Sequence, residues 1–340
     1  MDMIDLRSDT VTKPSAGMLE FMMKASVGDM IFGEDPAVNE LERMAAEMFG
    51  MDAALFCPSG TMTNQIAIKA HTRPGDEVIC SRMAHIYQFE AGGVAFNSGA
   101  SVALIDSGNG TFTAEDVKQY INNPEDWHKA YTRLVEVENT VNRGAGACWD
   151  FEELKRIREL CDSRSLGYHL DGARLFNAMA ADGRKPAEYG AIFDSVSICL
   201  SKGLGAPVGS VLIGNKEIIK QGARIRKVLG GAMRQAGYIA AAGIYALRNN
   251  VSRLTDDHRN AAALAEALNE CSLTEKVHYG GTNIVIFTLK PPATASDFLD
   301  RIRQRGILAL KTGERSIRMV THLDVSDDQI REACGILATL

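Results

Sequence analysis

The chain has 340 residues, of which 46% are hydrophobic and 24% charged, and its formal net charge is −6 at pH 7. This ordinary globular balance argues against a disordered, collagen-like or coiled-coil protein, and a chain of this length needs no disulfide or metal to stabilise its core. The negative charge offers no overall attraction for nucleic acid or an anionic membrane surface, which favours a small-molecule partner.

The first half of the chain alternates between strand and helix patterns. A helix is predicted over 36–49, because Asp35 is a suitable cap, Pro36 suits a first turn, and apolar residues recur on one face. Short apolar runs and helical patterns then follow one another: strands at 53–57, 77–80, 102–105 and 133–138, and helices at 61–71 and 113–121. This alternation is typical of an α/β fold with a parallel sheet.

Two later strands each end at a chemically useful side chain. A helix ending near Ser165 precedes a strand over 166–170 that stops at Asp171, and a strand over 195–199 is followed by Lys202. Open α/β sheets bind ligands at the carboxyl ends of their strands. We therefore expect Asp171 and Lys202 to face one crevice.

From about residue 248 the pattern becomes that of a smaller α+β domain. Its predicted elements are helix 253–269, strand 282–289, helix 296–305, strands near 307–310 and 315–320, and a last helix capped by Ser326. The sequence thus predicts a large α/β domain over 1–247 and a small C-terminal domain over 248–340. The helix 235–247 is apolar nearly all round, which predicts that it is buried at the domain junction or in a subunit interface.

The seven cysteines form no C-x-x-C pair and no metal-type spacing with histidine, so we expect reduced thiols in a cytoplasmic protein without a metal site. The segment MDMIDLRSDT (1–10) lacks the regions of a signal peptide. The longest apolar stretches, 237–247 and 283–289, are far shorter than the roughly 20 residues that span a bilayer. We expect neither export nor a membrane segment.

Lys202 is flanked by small residues directly after a strand, in the segment LSKGLG. A lysine that attacks a carbonyl needs such a restrained, partly desolvated position, whereas a surface-loop lysine does not. Asp171 offers the carboxylate that would keep the ring nitrogen of pyridoxal phosphate protonated, although a helix cap is the simpler reading of an aspartate in a turn. As a pair, the two residues favour a pyridoxal phosphate enzyme.

Three further features are weaker evidence for a cofactor or substrate site when each is considered alone. The turn Pro58-Ser59-Gly60-Thr61 precedes a helix whose first amides could bind phosphate, but it lacks the P-loop and dinucleotide fingerprints. His85 could stack on a planar cofactor, although a lone histidine is more often structural. Arg174 and Arg318 are ordinary solvated charges, unless domain closure directs them, with the Ser8 hydroxyl, at a substrate carboxylate.

Nine segments together resemble the low-specificity L-threonine aldolases, in order and over nearly the whole chain. They are IDLRSDTVTKP (4–14), GEDPAVNELE (33–42), SGTMTNQIA (59–67), HIYQFEAGG (85–93), VEVENTVNRG (135–144), HLDGARLFNA (169–178), CLSKGLGAPVGSVL (199–212), GGAMRQAG (230–237) and IRMVTHLDVS (317–326). The resemblance implies the fold-type I architecture of pyridoxal 5'-phosphate enzymes, with a mostly parallel seven-stranded sheet. It also implies a homotetramer, built as a dimer of dimers, with active sites at subunit interfaces.

The resemblance assigns roles position by position. Lys202 is implied to bond covalently to the cofactor, Asp171 to pair with its ring nitrogen, and His85 to stack over its ring. The implied catalytic residues are Lys202, His85, His128 and Asp171. The implied cofactor-binding residues are Ser59, Gly60, Thr61, His85, Asp171, Arg174, Lys202, Lys227 and Arg234, the last two from a neighbouring subunit. The implied substrate-binding residues are Ser8, Arg174, Arg318 and His128.

The implied reaction is retro-aldol cleavage of L-threonine, L-allo-threonine or a related β-hydroxy-α-amino acid to glycine and an aldehyde. His85 or His128, directly or through water, would be the base. Phe32 and Val141 stand where many relatives have tyrosine and histidine, which bears on side-chain preference. Two alternatives stay open: β-elimination or transamination of a small or aromatic amino acid with the same cofactor, and a cofactor-free binding or scaffold protein.

Overall fold

A seven-stranded sheet forms the centre of the larger part of the molecule, which is described here from a computed structural model covering residues 3–340. After a short strand β1 (Ile4–Asp5), its strands are β2 (Ala53–Cys57), β3 (Asp76–Ser81), β4 (Ser101–Ile105), β5 (Tyr131–Glu138), β6 (Gly167–Gly172), β7 (Ser195–Cys199) and β8 (Ser210–Gly214). The strand order is β2-β8-β7-β6-β5-β3-β4, and only β8 runs antiparallel to its neighbours. The predicted mostly parallel α/β sheet is therefore confirmed.

Helices cover the sheet and continue into the C-terminal part of the chain. They are α1 (Ala16–Met23), α2 (Pro36–Phe49), α3 (Gly60–His71), α4 (His85–Gln88), α5 (Ala114–Tyr120), α6 (Phe151–Arg164), α7 (Leu175–Asp182), α8 (Pro186–Gly190), α9 (Lys216–Val228), α10 (Gly237–Asn249), α11 (Leu254–Glu270), α12 (Ala295–Gln304) and α13 (Asp327–Leu337). The apolar helix α10 packs against α1 and α2 and is largely buried, as its composition predicts.

The C-terminal part contains a smaller antiparallel sheet. Its strands β9 (Thr274–Tyr279), β10 (Ile284–Leu289), β12 (Leu310–Lys311) and β13 (Ser316–Val320) have the order β12-β13-β10-β9, while β11 (Ile307–Leu308) pairs in parallel with β1. Ile4 and Leu6 are buried in the apolar core of this part. The start of the chain thus adds a strand to a core that is otherwise C-terminal, and the division at residues 247 and 248 stays a prediction.

Three strands were not predicted, namely β1, which has only two residues, β8 and β9. The segment SVLIG of β8 follows a glycine-rich loop, and the segment TEKVHY of β9 has two adjacent charged residues and lies at the edge of its sheet. No helix within residues 3–340 is long and apolar enough to cross a membrane. All seven cysteines are free.

Candidate active site

The structure brings Lys202 and Asp171 to one cavity. β6 and β7 are parallel neighbours, with Asp171 aligned to Ser197, so the end of β6 and the loop after β7 open on the same edge of the sheet. The cavity has a volume of about 170 Å³. It is lined by Pro58, Ser59, Gly60, Thr61, Asn64, His85, Asp171, Ala173, Cys199, Ser201 and Lys202.

The turn before α3 forms one wall of this cavity. Ser59 caps the helix by accepting the Met62 amide at 3.2 Å, and the first intrahelical bond runs from the Thr63 amide to the Ser59 carbonyl. The Gly60 and Thr61 amides precede that bond, so the helix itself gives them no acceptor. A Cβ at Gly60 would lie 2.6 Å from Cys199 Sγ. Glycine is therefore required at this position by the close packing of α3 on the end of β7.

Two donors hold the Asp171 carboxylate. Asn64 Nδ2 donates to Oδ2 at 2.7 Å, and the Ala173 amide donates to Oδ1 at 3.0 Å. Asn64 Nδ2 also donates to Glu90 Oε1 at 2.9 Å, and that oxygen lies 3.0 Å from His85 Nδ1. One amide group thus links the two carboxylates, and Glu90 in turn orients the imidazole at the cavity wall.

Two more glutamates, Glu136 and Glu138, lie on β5, the strand next to the one that carries Asp171. The Glu138 carboxylate accepts the His85 and Asn142 amides, each at 3.0 Å. Burial, with repulsion from Asp171, raises the pKa of Glu138 to about 7. Within residues 3–340 neither carboxyl oxygen of Glu136 has a hydrogen-bond partner, and burial raises its pKa strongly. We refer to Glu90, Glu136, Glu138 and Asp171 as the acid cluster.

The acid cluster changes the titration of His85. Burial of the ring opposes protonation, but the hydrogen bond to Glu90 and the charges of Asp171 and Glu138 outweigh it and raise the pKa of His85. The imidazole therefore holds a proton at higher pH than a free histidine does.

A second cavity, of about 390 Å³, shares His85 and Lys202 with the first. Arg174 lines it and is held by Asp9: Nε donates to Oδ2 at 2.7 Å and Nη2 to Oδ1 at 2.6 Å, with both side chains buried. Burial alone would raise the pKa of Asp9, but Arg174, assisted by Lys202, lowers it to about 2. The ion pair fixes the guanidinium and leaves Nη1 for another acceptor.

Arg318 enters the same cavity from β13. Its Nη1 donates to Asn142 Oδ1 at 2.7 Å and its Nη2 to the Arg7 carbonyl at 3.2 Å. Burial and repulsion from Arg174 lower the pKa of Arg318 to about 10. No carboxylate of residues 3–340 forms a salt bridge with it, so a half-buried cation faces the cavity without an anion. Ser8 also lines this cavity.

Three residues assigned by resemblance lie outside both cavities. His128 is exposed on the loop before β5, with Nδ1 3.1 Å from Asp126 Oδ1. Lys227 is exposed near the end of α9, and Arg234 is exposed and paired with Asp29 at 2.8 Å. The fold of a single chain therefore does not bring them to Lys202.

The two departures from the family pattern lie in different surroundings. Phe32 is 72% exposed, whereas Val141 is 1% exposed and belongs to the core of the large part. Neither lines a cavity with Lys202.

Sequence reasoning missed Asn64, Glu90, Glu138 and Asp9 as site residues. Asn64 follows Gly60 by one helical turn, and Glu138 ends β5, so helical spacing and the strand-end rule already used for Asp171 could have found both. No local signal marks Asp9, because its partner Arg174 is 165 positions away, and Glu90 is near only His85 in the chain, while its partner Asn64 is 26 positions away.

Comparison with known proteins identifies relatives that are similar to this chain over nearly its full length. Residues 5–290 match the family model described as Beta-eliminating lyase. The low specificity L-threonine aldolase of Escherichia coli (strain K12) is 46% identical over 334 residues, which cover 98% of each chain.

Two solved structures are similar in fold. A threonine aldolase from Leishmania major has a TM-score of 0.85 at 21% identity and covers 99% of each chain. A serine palmitoyltransferase from S. paucimobilis with bound PLP has a TM-score of 0.75 at 18% identity and covers 99% of this chain and 87% of that one. The predicted fold-type I architecture is confirmed. By the family match and the full-length similarity, the chain is a lyase that belongs to the low-specificity L-threonine aldolases of the Beta-eliminating lyase family.

Proposed function

We propose that the protein uses pyridoxal 5'-phosphate to cleave L-threonine, L-allo-threonine and related β-hydroxy-α-amino acids to glycine and an aldehyde. The observation that carries the proposal is a pair of adjacent cavities that share Lys202: one also contains Asp171, and the other also contains Arg174 and Arg318. The names of the full-length relatives support the substrate class.

The residues of the smaller cavity fit the cofactor. Lys202 would hold its aldehyde carbon, and Asp171, already fixed by two donors, would accept from its ring nitrogen. The Gly60 and Thr61 amides, with Ser59 beside them, match the needs of a phosphate. The acid cluster fits a cationic ring, since a positive charge there would offset the repulsion among its carboxyls. When bound, pyridoxal phosphate supplies an electron sink for the charge left on the substrate's α-carbon.

The larger cavity fits an α-carboxylate. Arg318 lacks an anion and Arg174 retains Nη1, so a carboxylate between them would gain charge-assisted hydrogen bonds, with the Ser8 hydroxyl nearby. Arg174 comes from the proposed large domain, 1–247, and Arg318 from the proposed small domain, 248–340. Binding across the two would fix the substrate's orientation, which decides which bond at the α-carbon is broken.

His85 is the proposed base for the β-hydroxyl proton. Glu90 occupies Nδ1, which leaves Nε2 as the atom that would take that proton. Because the pKa of His85 is raised, the ring stays protonated up to a higher pH than a free histidine does. Only the deprotonated ring can act as the base, so kcat/KM is expected to increase with pH until His85 has lost its proton. A histidine variant such as His85→Gln should flatten this rise; an unchanged profile would argue for another base.

We further propose a cytoplasmic homotetramer, a dimer of dimers with active sites at subunit interfaces. Lys227 and Arg234 would reach a neighbour's cofactor and His128 a neighbour's substrate. Three exposed apolar side chains support burial between subunits: Phe96 is 89%, Trp127 86% and Val228 84% exposed. Free thiols support a reducing compartment.

The test is to incubate the purified protein with L-threonine and to measure glycine and acetaldehyde. Lys202→Ala should abolish cleavage, while the exposed lysine variant Lys216→Ala should not. Borohydride treatment followed by peptide mapping should place the cofactor's mass on the peptide that contains Lys202. Mass on another peptide would refute the assignment.

β-Elimination is the second candidate, because the family model that matches residues 5–290 is described by that reaction. It would give 2-oxobutanoate and ammonia from threonine. A predominance of those products over acetaldehyde would replace the proposal with this one.

A further inference from the structure

A chain of buried polar side chains extends from Asp171 away from both cavities. Asn64, which donates to Asp171, has its Oδ1 3.2 Å from His169 Nε2. His169 Nδ1 lies 2.9 Å from Ser195 Oγ, which lies 2.9 Å from His71 Nε2. Asn64, His169 and Ser195 are at most 2% exposed. Such a connected set needs every donor matched to an acceptor.

The pairing of β6 with β7 explains why the side chains of Asp171, His169 and Ser195 line up. His169 precedes Asp171 by two residues on β6, so both side chains project from the same face. Ser195 is the residue of β7 that pairs with His169. The alignment therefore follows from strand register.

The two carboxylates set the direction of the hydrogen bonds. Asn64 faces Asp171 and Glu90 together, and only its amide nitrogen can donate to both. Its carbonyl oxygen must then accept a hydrogen from His169 Nε2. His169 Nδ1 consequently accepts from the Ser195 hydroxyl, whose oxygen accepts from His71 Nε2. Every donor in this assignment has an acceptor.

One contact favours the opposite tautomer. His169 Nδ1 also lies 3.2 Å from the Ser195 carbonyl, which would accept a hydrogen from Nδ1. That tautomer would turn the Asn64 oxygen toward two carboxylates. Hydrogen bonds to charged groups are about twice as strong as neutral ones, so the two bonds from Asn64, together with the bond from the Ser195 hydroxyl to Nδ1, outweigh the carbonyl contact. Burial, with repulsion from His71, lowers the pKa of His169 to about 4, which keeps its ring neutral as the assignment requires.

We propose that His169 is a positioning residue for the cofactor site: its Nε2 hydrogen fixes the Asn64 amide, and that amide holds the Asp171 carboxylate in place. The proposal rests on the proposed function only in taking Asp171 as the partner of the cofactor's ring nitrogen. His169 lines neither cavity and contacts no reacting atom.

The test compares His169→Gln with His169→Asn. Glutamine can place an amide nitrogen near the Nε2 position and so can still donate to Asn64, whereas asparagine reaches only the Nδ1 position. His278→Asn is the matched control, because His278 is exposed on β9. The measurements are the Kd of the cofactor-free protein for pyridoxal phosphate, the kcat and KM for L-threonine, and the thermal unfolding midpoint.

His169→Asn should weaken cofactor affinity by about tenfold to a hundredfold, the range expected for a lost hydrogen bond to a buried polar group. It should lower kcat more than it raises KM. His169→Gln and His278→Asn should stay within about threefold of the unsubstituted protein. Unchanged affinity in His169→Asn would overturn the proposal, and so would equal losses in both His169 variants, because these would indicate packing alone.

Ser195→Ala provides the same test if His169→Asn does not fold. It removes the hydroxyl that donates to Nδ1 and leaves the Ser195 carbonyl to stabilise the opposite tautomer. Cofactor affinity should fall although the ring is intact, and unchanged affinity would contradict the proposal. A protein that binds the cofactor with this variant pattern but releases no acetaldehyde would refute the proposed function and leave the role of His169 standing.

Discussion

The two sides of the site, the acid cluster and the cavity that contains Arg174 and Arg318, differ in the sign and in the pairing of their buried charges. On the acid cluster side, four carboxyls lie close together, and Glu136 has no hydrogen-bond donor among the residues described. On the other side, Arg174 has its own carboxylate, Asp9, whereas Arg318 forms no salt bridge in the described part of the chain. We infer from this difference that the site suits a ligand that is cationic where it meets Asp171 and anionic where it meets Arg318.

The largest expected effect is that of Asp171→Asn, which removes the charge at the centre of the acid cluster. Loss of one preorganised electrostatic partner typically lowers kcat by about 10²–10³-fold. The fold should persist, because removing this charge relieves repulsion on Glu136 and Glu138. Steady-state kinetics with circular dichroism as the folding control checks this. Activity close to that of the unsubstituted protein would contradict the electron-sink assignment.

Asp9→Asn tests the opposite side. Removing one partner of a buried ion pair costs about 3–5 kcal/mol of unfolding free energy, because Arg174 would remain buried without its anion. Asp5→Asn is the control: its partner Arg7 is about half exposed, and such a pair contributes about 0–1 kcal/mol. Urea unfolding measures both. Equal losses would mean that the Arg174 pair is no more important than a surface pair.

Glu138 should make stability pH-dependent in an unusual direction. Its pKa is raised from an ordinary 4.5 to about 7, so the folded state binds more protons than the unfolded state between these values. Its contribution is therefore most favourable below pH 4.5 and is lost as pH rises toward 7, by up to about 3 kcal/mol. Urea unfolding of the cofactor-free protein and of Glu138→Gln should show a difference that varies over this window. A constant difference would contradict the prediction.

The smallest effect is expected at Phe32, one of the two departures from the family pattern. Phe32→Tyr should change the unfolding free energy of the chain by less than about 0.5 kcal/mol, because Phe32 is mostly exposed. Val141→His should be clearly more destabilising, since it buries an imidazole in the core. Thermal unfolding compares the two, and a large loss in Phe32→Tyr would show that its surroundings are not those described here.

Local signals explain which elements could be predicted. The helix at 36–49 and the strand at 53–57 were predicted with their observed bounds, because Asp35, Pro36 and Gly50 mark the helix ends and five apolar residues form the strand. β8 and β9 were missed, since β8 follows a glycine-rich loop and β9 carries charges that its edge position tolerates.

The sequence alone determined that Asp171 and Lys202 lie at or just after the ends of two strands and that Gly60 opens a helix, because strand ends and small-residue turns depend on adjacent residues. Only the tertiary structure decided what surrounds them. The hydrogen bonds from Asn64 to Asp171 and from Arg174 to Asp9 join residues more than a hundred positions apart. A burial environment, and with it the pKa of Glu138 or the tautomer of His169, exists only once the strands are in register.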